Sequence, residues 1–351
     1  MAAPRPIAID LFCGCGGLTL GLQLAGFNVV AAVDNDPLAI RTYRLNHRRP
    51  KIFDDDIRQL DPSQLMLEIR IEPGQLDLLA GCPPCQGFST LRTLNGKKKI
   101  KEPMNDLIFE FTRFVEAMMP KTIMLENVPG LMNDQRLKKV KRHLDRLGYK
   151  YEADVFDANK FGVPQRRRRM ILIASLNDGP RFAKPRKRKR TVRGAIGRLG
   201  LAGSSGDPIH DHGAKRSARI IKLIKRIPHD GGSRGDLPRR SQLECHKDFD
   251  GFKDIYGRMA WLKASPTITT GCINPSKGRF LHPEEDRAIT LRESALLQGF
   301  PRSYKFDLTA GLYPTARLIG NAFPPKFAEH HARESYRQIW CTASWSCGLS
   351  A

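Results

Sequence analysis

Three groups of residues in this chain have the types and spacing for chemistry: a cysteine pair, an isolated glutamate and a run of arginines. Cys82 and Cys85 lie in LLAGCPPCQGFS, after an apolar run and around Pro83 and Pro84. A cysteine presented by a proline-stiffened loop at the carboxyl end of a strand is poised as a thiolate nucleophile rather than packed as a hydrophobe. The same CxxC could be a redox pair, and with Cys13 and Cys15 it could offer four thiolates to zinc. Glu126, in MLENVPG, sits inside another apolar run, where a carboxylate is either a costly buried charge or a group kept for chemistry. VPQRRRRM leads into the apolar MILIA. If that segment is extended, Gln165, Arg167 and Arg169 share one face and Arg166 and Arg168 the other, although such a run can equally be a solvated or phosphate-binding patch.

A fourth group is the loop in DLFCGCGGLTLGL. Gly14, Gly16 and Gly17 let a ligand approach the backbone closely where a helix begins. Asp34 closes the next apolar run, where an acid can accept from ribose hydroxyls. In FDDDI, Asp56 could accept from an adenine amino group while Ile57 packs on the ring; a surface acidic turn explains the segment as well. This layout serves NAD, FAD or S-adenosylmethionine alike.

The elements that must carry these groups follow from the apolar pattern. Runs at 7–12, 27–33, 76–80, 123–126 and 170–174 predict strands, with helical stretches at 18–25, 37–46, 106–119 and 134–147 between them. The alternation predicts an α/β fold, a parallel sheet covered by helices on both faces, with the ligand site in loops at the carboxyl ends of the strands. After about residue 176 the pattern changes. KPRKRKR opens a region rich in Arg, Gly, His and Pro that includes GGSRGDLPRR and lasts to about residue 288. Helical patterning returns from Arg292, and the last residues, from 344, read as a loose tail.

Lys and Arg outnumber Asp and Glu by 59 to 36 over 351 residues, a net charge of +23. A surplus of that size points to a polyanionic partner, because a basic groove releases counterions from phosphates. Residues 11–33 contain no charge, yet Gly14, Gly16, Gly17, Gly21 and Gly26 interrupt them, so a strand–loop–helix–strand reading is preferred over a membrane span. Eight cysteines fit a reduced intracellular chain. No charged leader with an apolar core precedes the first motif. The expectation is a cytoplasmic, nucleoid-associated monomer.

In order and spacing, the FCGCGG loop, PCQ, ENV and QRRRR resemble the motifs of the cytosine-carbon-5 DNA methyltransferase family. SPTITTG, HPEEDRAITLRESALLQGFP and IGNAFPP resemble that family's ninth and tenth blocks. The likeness spans nearly the whole chain apart from about 180–260, where members diverge in reading different DNA sequences. It departs at Leu318, where the pattern often has Gln. With the family's roles assigned, the zinc and redox readings recede, and no metal is expected.

The resemblance implies a Rossmann-like, S-adenosylmethionine-dependent large domain with a small mixed target-recognition domain. The implied divisions are 1–180 for catalysis and cofactor, 181–300 for target recognition, 301–335 returning to the catalytic domain, and 336–351 as a tail. It implies double-stranded DNA as partner and S-adenosylmethionine as cosubstrate, in a restriction–modification or orphan modification enzyme. Cys85 would attack carbon 6 of a flipped-out cytosine, Glu126 would hold the exocyclic amine and ring nitrogen 3, and Arg167 or, preferably, Arg169 would bind oxygen 2. Phe12, Gly14, Gly16 and Gly17 would line the methionine part of the cofactor, with Asn321 near its end. Asp34 would take the ribose, and Asp56 and Ile57 the adenine. LRTLNGKKKIK, just after Cys85, would close over DNA. Arg292 and Glu293 are expected in a structural ion pair, and Thr267, Thr269 and Thr270 in a structural β-rich segment. A transfer-RNA methyltransferase of the same fold shares PPCQ and ENV but usually carries a CFT-type segment, which is not found here.

Overall fold

The structure, a computed structural model, describes residues 4–84, 106–177, 179–238 and 254–346. Cys85 and the LRTLNGKKKIK segment lie outside the described residues. The chain forms two compact units. One comprises Met1–Asp157, Arg168–Pro185 and Phe323–Ala351; the other comprises Ala158–Arg167 and Arg186–Ala322.

The first unit is built on one seven-stranded sheet. Its strands are β1 (Ile7–Leu11), β2 (Asn28–Val33), β3 (Lys51–Phe53), β4 (Leu78–Gly81), β5 (Thr122–Asn127), β6 (Lys150–Asp157) and β7 (Arg168–Ser175). They lie in the order β3-β2-β1-β4-β5-β7-β6. The first five run parallel, whereas β7 is antiparallel to both β5 and β6. The sheet is therefore mixed rather than wholly parallel as expected. β6 escapes an apolar-run criterion because KYEADVFD alternates with charges and is only partly buried, the pattern of an edge strand. The sheet order reverses direction about β1 and β4, and their carboxyl ends flank the crevice where open α/β sheets place ligands.

Helices of the first unit are α1 (Gly17–Ala25), α2 (Pro37–Asn46), α3 (Pro62–Ile69), α4 (Leu107–Met118) and α5 (Gln135–Arg146). In the second unit are α6 (Val192–Ile196), α7 (Pro208–Asp211), α8 (Ala218–Arg226), α9 (Leu291–Gln298) and α10 (Leu312–Asn321). The chain then returns to the first unit as α11 (Pro325–Ser346). Strand side chains alternate between faces. Ile9, Leu11, Ile123, Leu125 and Leu172 point into one core with Phe111 and Phe114 of α4 and Val140 and Leu144 of α5. Asp10 and Glu126 therefore fall on the opposite face, the one α1 covers, since Thr19 of α1 reaches Asp10.

The units differ from the expected divisions in three places. Ala158–Arg167 belongs to the second unit, and so does α10, so the return begins at Phe323 rather than 301. The segment expected as a tail is helical to Ser346, with Tyr336 edge-on to Phe27 at 5.6 Å. The second unit is organised around Arg258, whose fully buried guanidinium donates to the carbonyls of Ile224, Ile227, His282 and Glu285 and to the Asp286 carboxylate. Arg292 and Glu293 each form an ion pair, but not with each other. Arg292 binds Asp207 and the Tyr304 carbonyl, while Glu293 binds Arg287 and closes a capping box with Thr290. Consecutive residues on a helix do not face one another. Among the described residues no helix is long and apolar enough to cross a membrane.

Close approach of α1 to α11 depends on Gly21, where a Cβ would lie 2.4 Å from the Ala328 Cβ and 2.7 Å from the Pro325 carbonyl oxygen. Gly21→Ala should therefore lower stability by about 1–3 kcal/mol through overpacking. Thermal unfolding checks this, and an unchanged Tm would show that the helices can part without penalty.

Candidate active site

The loop after β1 has the backbone its glycines suggest. Phe12 has φ 62°, followed by Gly14 at 53° and Gly16 at 88°. A bulky residue in the left-handed region is strained and persists only where its surroundings enforce it, most often at functional sites. A Cβ on Gly14 would meet nothing within 4 Å, so one side of the loop is open. Gly16 forms the left-handed N-cap of α1, Gly17 begins the helix, and no side chain caps it.

Asp34, at the end of β2, holds this loop. Its Oδ2 accepts the Gly14 N–H at 2.8 Å and its Oδ1 accepts the Asp36 N–H at 2.9 Å. Asp36 in turn caps α2 by accepting from Leu38 and Ala39. Burial raises the Asp34 carboxyl above its ordinary range. Each carboxylate oxygen keeps a lone pair after these contacts, so acceptance from ligand hydroxyls remains available.

Beneath the loop lies a further buried acid. Asp10 is fully buried; its Oδ2 accepts the Thr19 hydroxyl at 2.6 Å, and Thr19 also lies 3.0 Å from the Tyr43 hydroxyl. Its Oδ1 has no partner among the described residues. Burial pushes this carboxyl up to about 7. Burial likewise raises the Cys13 thiol well above its usual value and the Cys15 thiol to about 12.

At the end of β5, Glu126 is buried and its Oε1 lies 2.8 Å from Arg169 Nε at the start of β7. The next residue, Asn127, donates from Nδ2 to the Pro83 carbonyl at 3.0 Å and accepts the Val128 N–H at 2.8 Å. Asn127 thus ties the strand end bearing Glu126 to the chain that leads through Pro83 and Pro84 to Cys85. Cys82 begins that stretch; burial first, and the Glu126 charge second, push its thiol well above the usual value.

Across 165–169, Gln165 and Arg167 are buried, Arg166 and Arg168 exposed, and Arg169 half-buried. Their partners separate them. Arg169 meets Glu126, whereas Arg167 donates from Nη1 to the Ile268 carbonyl at 3.1 Å. Gln165 accepts the Ile268 N–H and donates to the Leu297 carbonyl and the Gln298 side chain. Thr267 donates to the Arg166 carbonyl, and Thr269 backs onto Gly320 so closely that a Cβ there would lie 2.3 Å from the Thr269 carbonyl carbon.

Among the remaining expected residues, Asp56 is paired with exposed Arg58, which holds its carboxyl below the ordinary range. Ile57 is buried in the core, and its carbonyl accepts from Arg113 at 2.6 Å. Asn321 is exposed at the end of α10 in the second unit. Among the described residues His282, Glu285 and Glu293 have metal-like spacing, but the Arg287 guanidinium already bridges both carboxylates. Sequence reasoning missed Asp10 and Asn127. An acid closing the apolar IAIDL was the available signal for Asp10; nothing local marks Asn127.

The family model for C-5 cytosine-specific DNA methylase matches residues 7–337. A type II methylase, M.HgiDII of Herpetosiphon aurantiacus, is 40% identical over 332 residues, 90% of this chain and 91% of its own length. A type II methyltransferase, M1.BsuMI of Bacillus subtilis, is 32% identical over 342 residues, 91% of this chain and 78% of its own. Among solved structures, a prophage-encoded E. coli protein aligns with a TM-score of 0.74 at 22% identity, covering 95% of this chain and 99% of its own. That last likeness is one of fold.

Asp10 makes stability depend on pH. Its folded value of about 7 stands above the unfolded 3.8, so between these values the folded state binds the extra proton. The stabilising contribution is complete below about pH 4 and is lost as pH rises through about 7. Asp10→Asn should remove this decline, on the order of a few kcal/mol. Denaturant unfolding of both proteins from pH 4 to 8 measures it, and parallel curves would contradict the assignment.

Proposed function

The chain belongs to the C-5 cytosine-specific DNA methylase family and is a DNA cytosine-5 methyltransferase, and on that premise we propose that Cys85, Glu126 and Arg169 form its reaction centre. The observation that carries this reading is the buried Glu126–Arg169 pair on the strand end that Asn127 links to the Cys85 loop.

Carbon 5 of cytosine is a poor nucleophile, and covalent catalysis changes that. The Cys85 thiolate adds to carbon 6 while Glu126 binds the exocyclic amine and shares a proton with ring nitrogen 3. The enamine so formed makes carbon 5 nucleophilic. Bound S-adenosylmethionine supplies the electrophilic methyl group. Loss of the carbon-5 proton then restores the double bond and expels Cys85. Arg169 orients Glu126 through one oxygen, leaving the other for the base, and its remaining N–H groups serve oxygen 2. Arg167 acts as a positioning residue through the Ile268 carbonyl. A base stacked in duplex is out of a loop cysteine's reach, so the target cytosine is flipped out.

The residues around β1 suit the cofactor. The open side of Gly14, the strained Phe12 and the orphaned Oδ1 of Asp10 all describe a polar cradle at the end of the strand. Phe12, Gly14, Gly16 and Gly17 hold the methionine part, Asn321 its end, and Asp34 the ribose. Asp56 and Ile57 take the adenine; an exposed pair such as Asp56–Arg58 is cheap to exchange for a ligand contact. Double-stranded DNA is the substrate, and the cytoplasm, at the nucleoid, is where the monomeric enzyme meets it. Its role is that of the modification half of a type II restriction–modification pair or of an orphan modification enzyme, in line with its relatives' names.

Cys85→Ser should abolish tritiated methyl transfer to duplex DNA and the covalent adduct on DNA containing 5-fluorocytosine, with cofactor affinity within a few-fold of the native protein. Glu126→Gln should lower kcat by about 10²–10⁴-fold, the usual range for a lost proton-transfer group. Substantial methylation by Cys85→Ser would sink the nucleophile assignment, and labelling of transfer RNA rather than duplex DNA would sink the substrate.

A further inference from the structure

Helix α5 carries six Lys and Arg residues against a single acid, Asp145. Arg136 is committed to Asp106 and Asp134. Lys139, Arg142 and Arg146 are exposed, and at i, i+3 and i+7 they form one stripe about 10 Å long. None of the three has an acidic partner among the described residues. The acids nearby are engaged elsewhere: Asp145 accepts from the Tyr151 hydroxyl, and Glu116 lies 3.5 Å from His143. Along the stripe, α4 and α5 leave an open groove lined also by Phe109 and Thr112, with the Lys139 ammonium 5.7 Å from the Phe109 ring.

The direction of the chain fixes where this stripe lies. β5 and β6 are both antiparallel to β7 and therefore run the same way, so α5 between them runs back. Its last turn meets Tyr149, whose N–H donates to the Leu144 carbonyl and whose hydroxyl donates to the Pro120 carbonyl just before β5. The stripe thus ends at the opposite end of β5 from Glu126, about 17 Å away at 3.3 Å per residue. The stripe therefore leads from Lys139, one turn into the helix, away from the Glu126 end of the strand, toward DNA flanking the reacting base.

We propose that Lys139, Arg142 and Arg146 form a second, sequence-independent contact for the phosphate backbone of duplex DNA, holding DNA remote from the target cytosine. The choice of DNA rests on the enzyme being a DNA methyltransferase and on charge complementarity. A lipid surface would call for exposed aliphatic residues beside the cations, whereas Leu137, Val140 and Leu144 of this helix are buried in the core. Contacts of this kind let an enzyme slide along DNA between targets.

The test is the triple variant K139Q/R142Q/R146Q, in which glutamine preserves helix propensity. Binding to a duplex of about 30 base pairs is followed by fluorescence anisotropy at increasing NaCl. Each lost phosphate contact lowers the slope of log K against log salt by about 0.9, so the triple variant should lose about 2–3. Methyl transfer at saturating DNA and low salt, and adduct formation with 5-fluorocytosine, should stay at native levels, which separates this test from that of the reaction centre. A charge-matched control, R41Q/R44Q/R48Q on exposed positions in and just after α2, should leave the slope nearly unchanged. An unchanged slope in the α5 variant, or an equal fall in the control, overturns the proposal.

Discussion

A carboxylate taken out of water at the end of a buried strand must be compensated, and Glu126 is compensated by one guanidinium, Arg169. The rest of the first unit is arranged so that this pair can form. Glu126 lies at the carboxyl end of β5, and the register pairs it with Ile171, two residues beyond Arg169. Arg169 stands at that end only because β7 enters the sheet there and runs antiparallel. Had β7 been parallel, its opening arginines would lie at the far end of the sheet, a strand length from Glu126. Two expectations from sequence, a parallel sheet and an arginine run aimed at the site, were therefore incompatible. The antiparallel strand resolves the conflict in favour of the chemistry.

The same sheet face carries a second buried acid handled in the opposite way. Among the described residues Asp10 has no cation beside it; a hydroxyl from Thr19 serves one oxygen and the other has no partner. Burial then favours the protonated form near neutral pH. Asp34 is intermediate, held by backbone N–H donors that include Gly14 and Asp36. Three acids in one unit are thus neutralised in three ways: by a guanidinium, by protonation and by backbone N–H donors.

Much of the fold was legible because apolar runs mark buried strands whatever their direction. β1, β2, β4, β5 and β7 and the helices α1, α2, α4 and α5 lie where the pattern predicts them, within a residue or two. β3 is three residues long and β6 is an amphipathic edge, so neither produces an apolar run. Strand direction is invisible to periodicity, which sees only which face a side chain occupies. Partner choice is equally hidden. The spacing of Arg167 and Arg169 predicts a shared face, and burial across 165–169 does alternate, yet one meets a carboxylate and the other a backbone carbonyl. Asn127 was illegible for a related reason: its partner, the Pro83 carbonyl, lies 44 residues away and any side chain amide could have made the bond.

The boundary between the two units falls between Arg167 and Arg168, inside the run of four arginines. That explains why the run resists a single description. Gln165 and Arg167 are spent on the backbone of Ile268 and the end of α9, fixing the short excursion 158–167 within the second unit. Arg169 belongs to the sheet and to Glu126, and Arg166 and Arg168 remain exposed. Four arginines that read as one basic patch are thus one structural fastener, one partner for a buried acid and two solvated cations. At the buried Arg167 and the half-buried Arg169, guanidinium stays charged on burial and offers several donors in a fixed plane. The repetition of one residue type reflects that versatility rather than a single shared function.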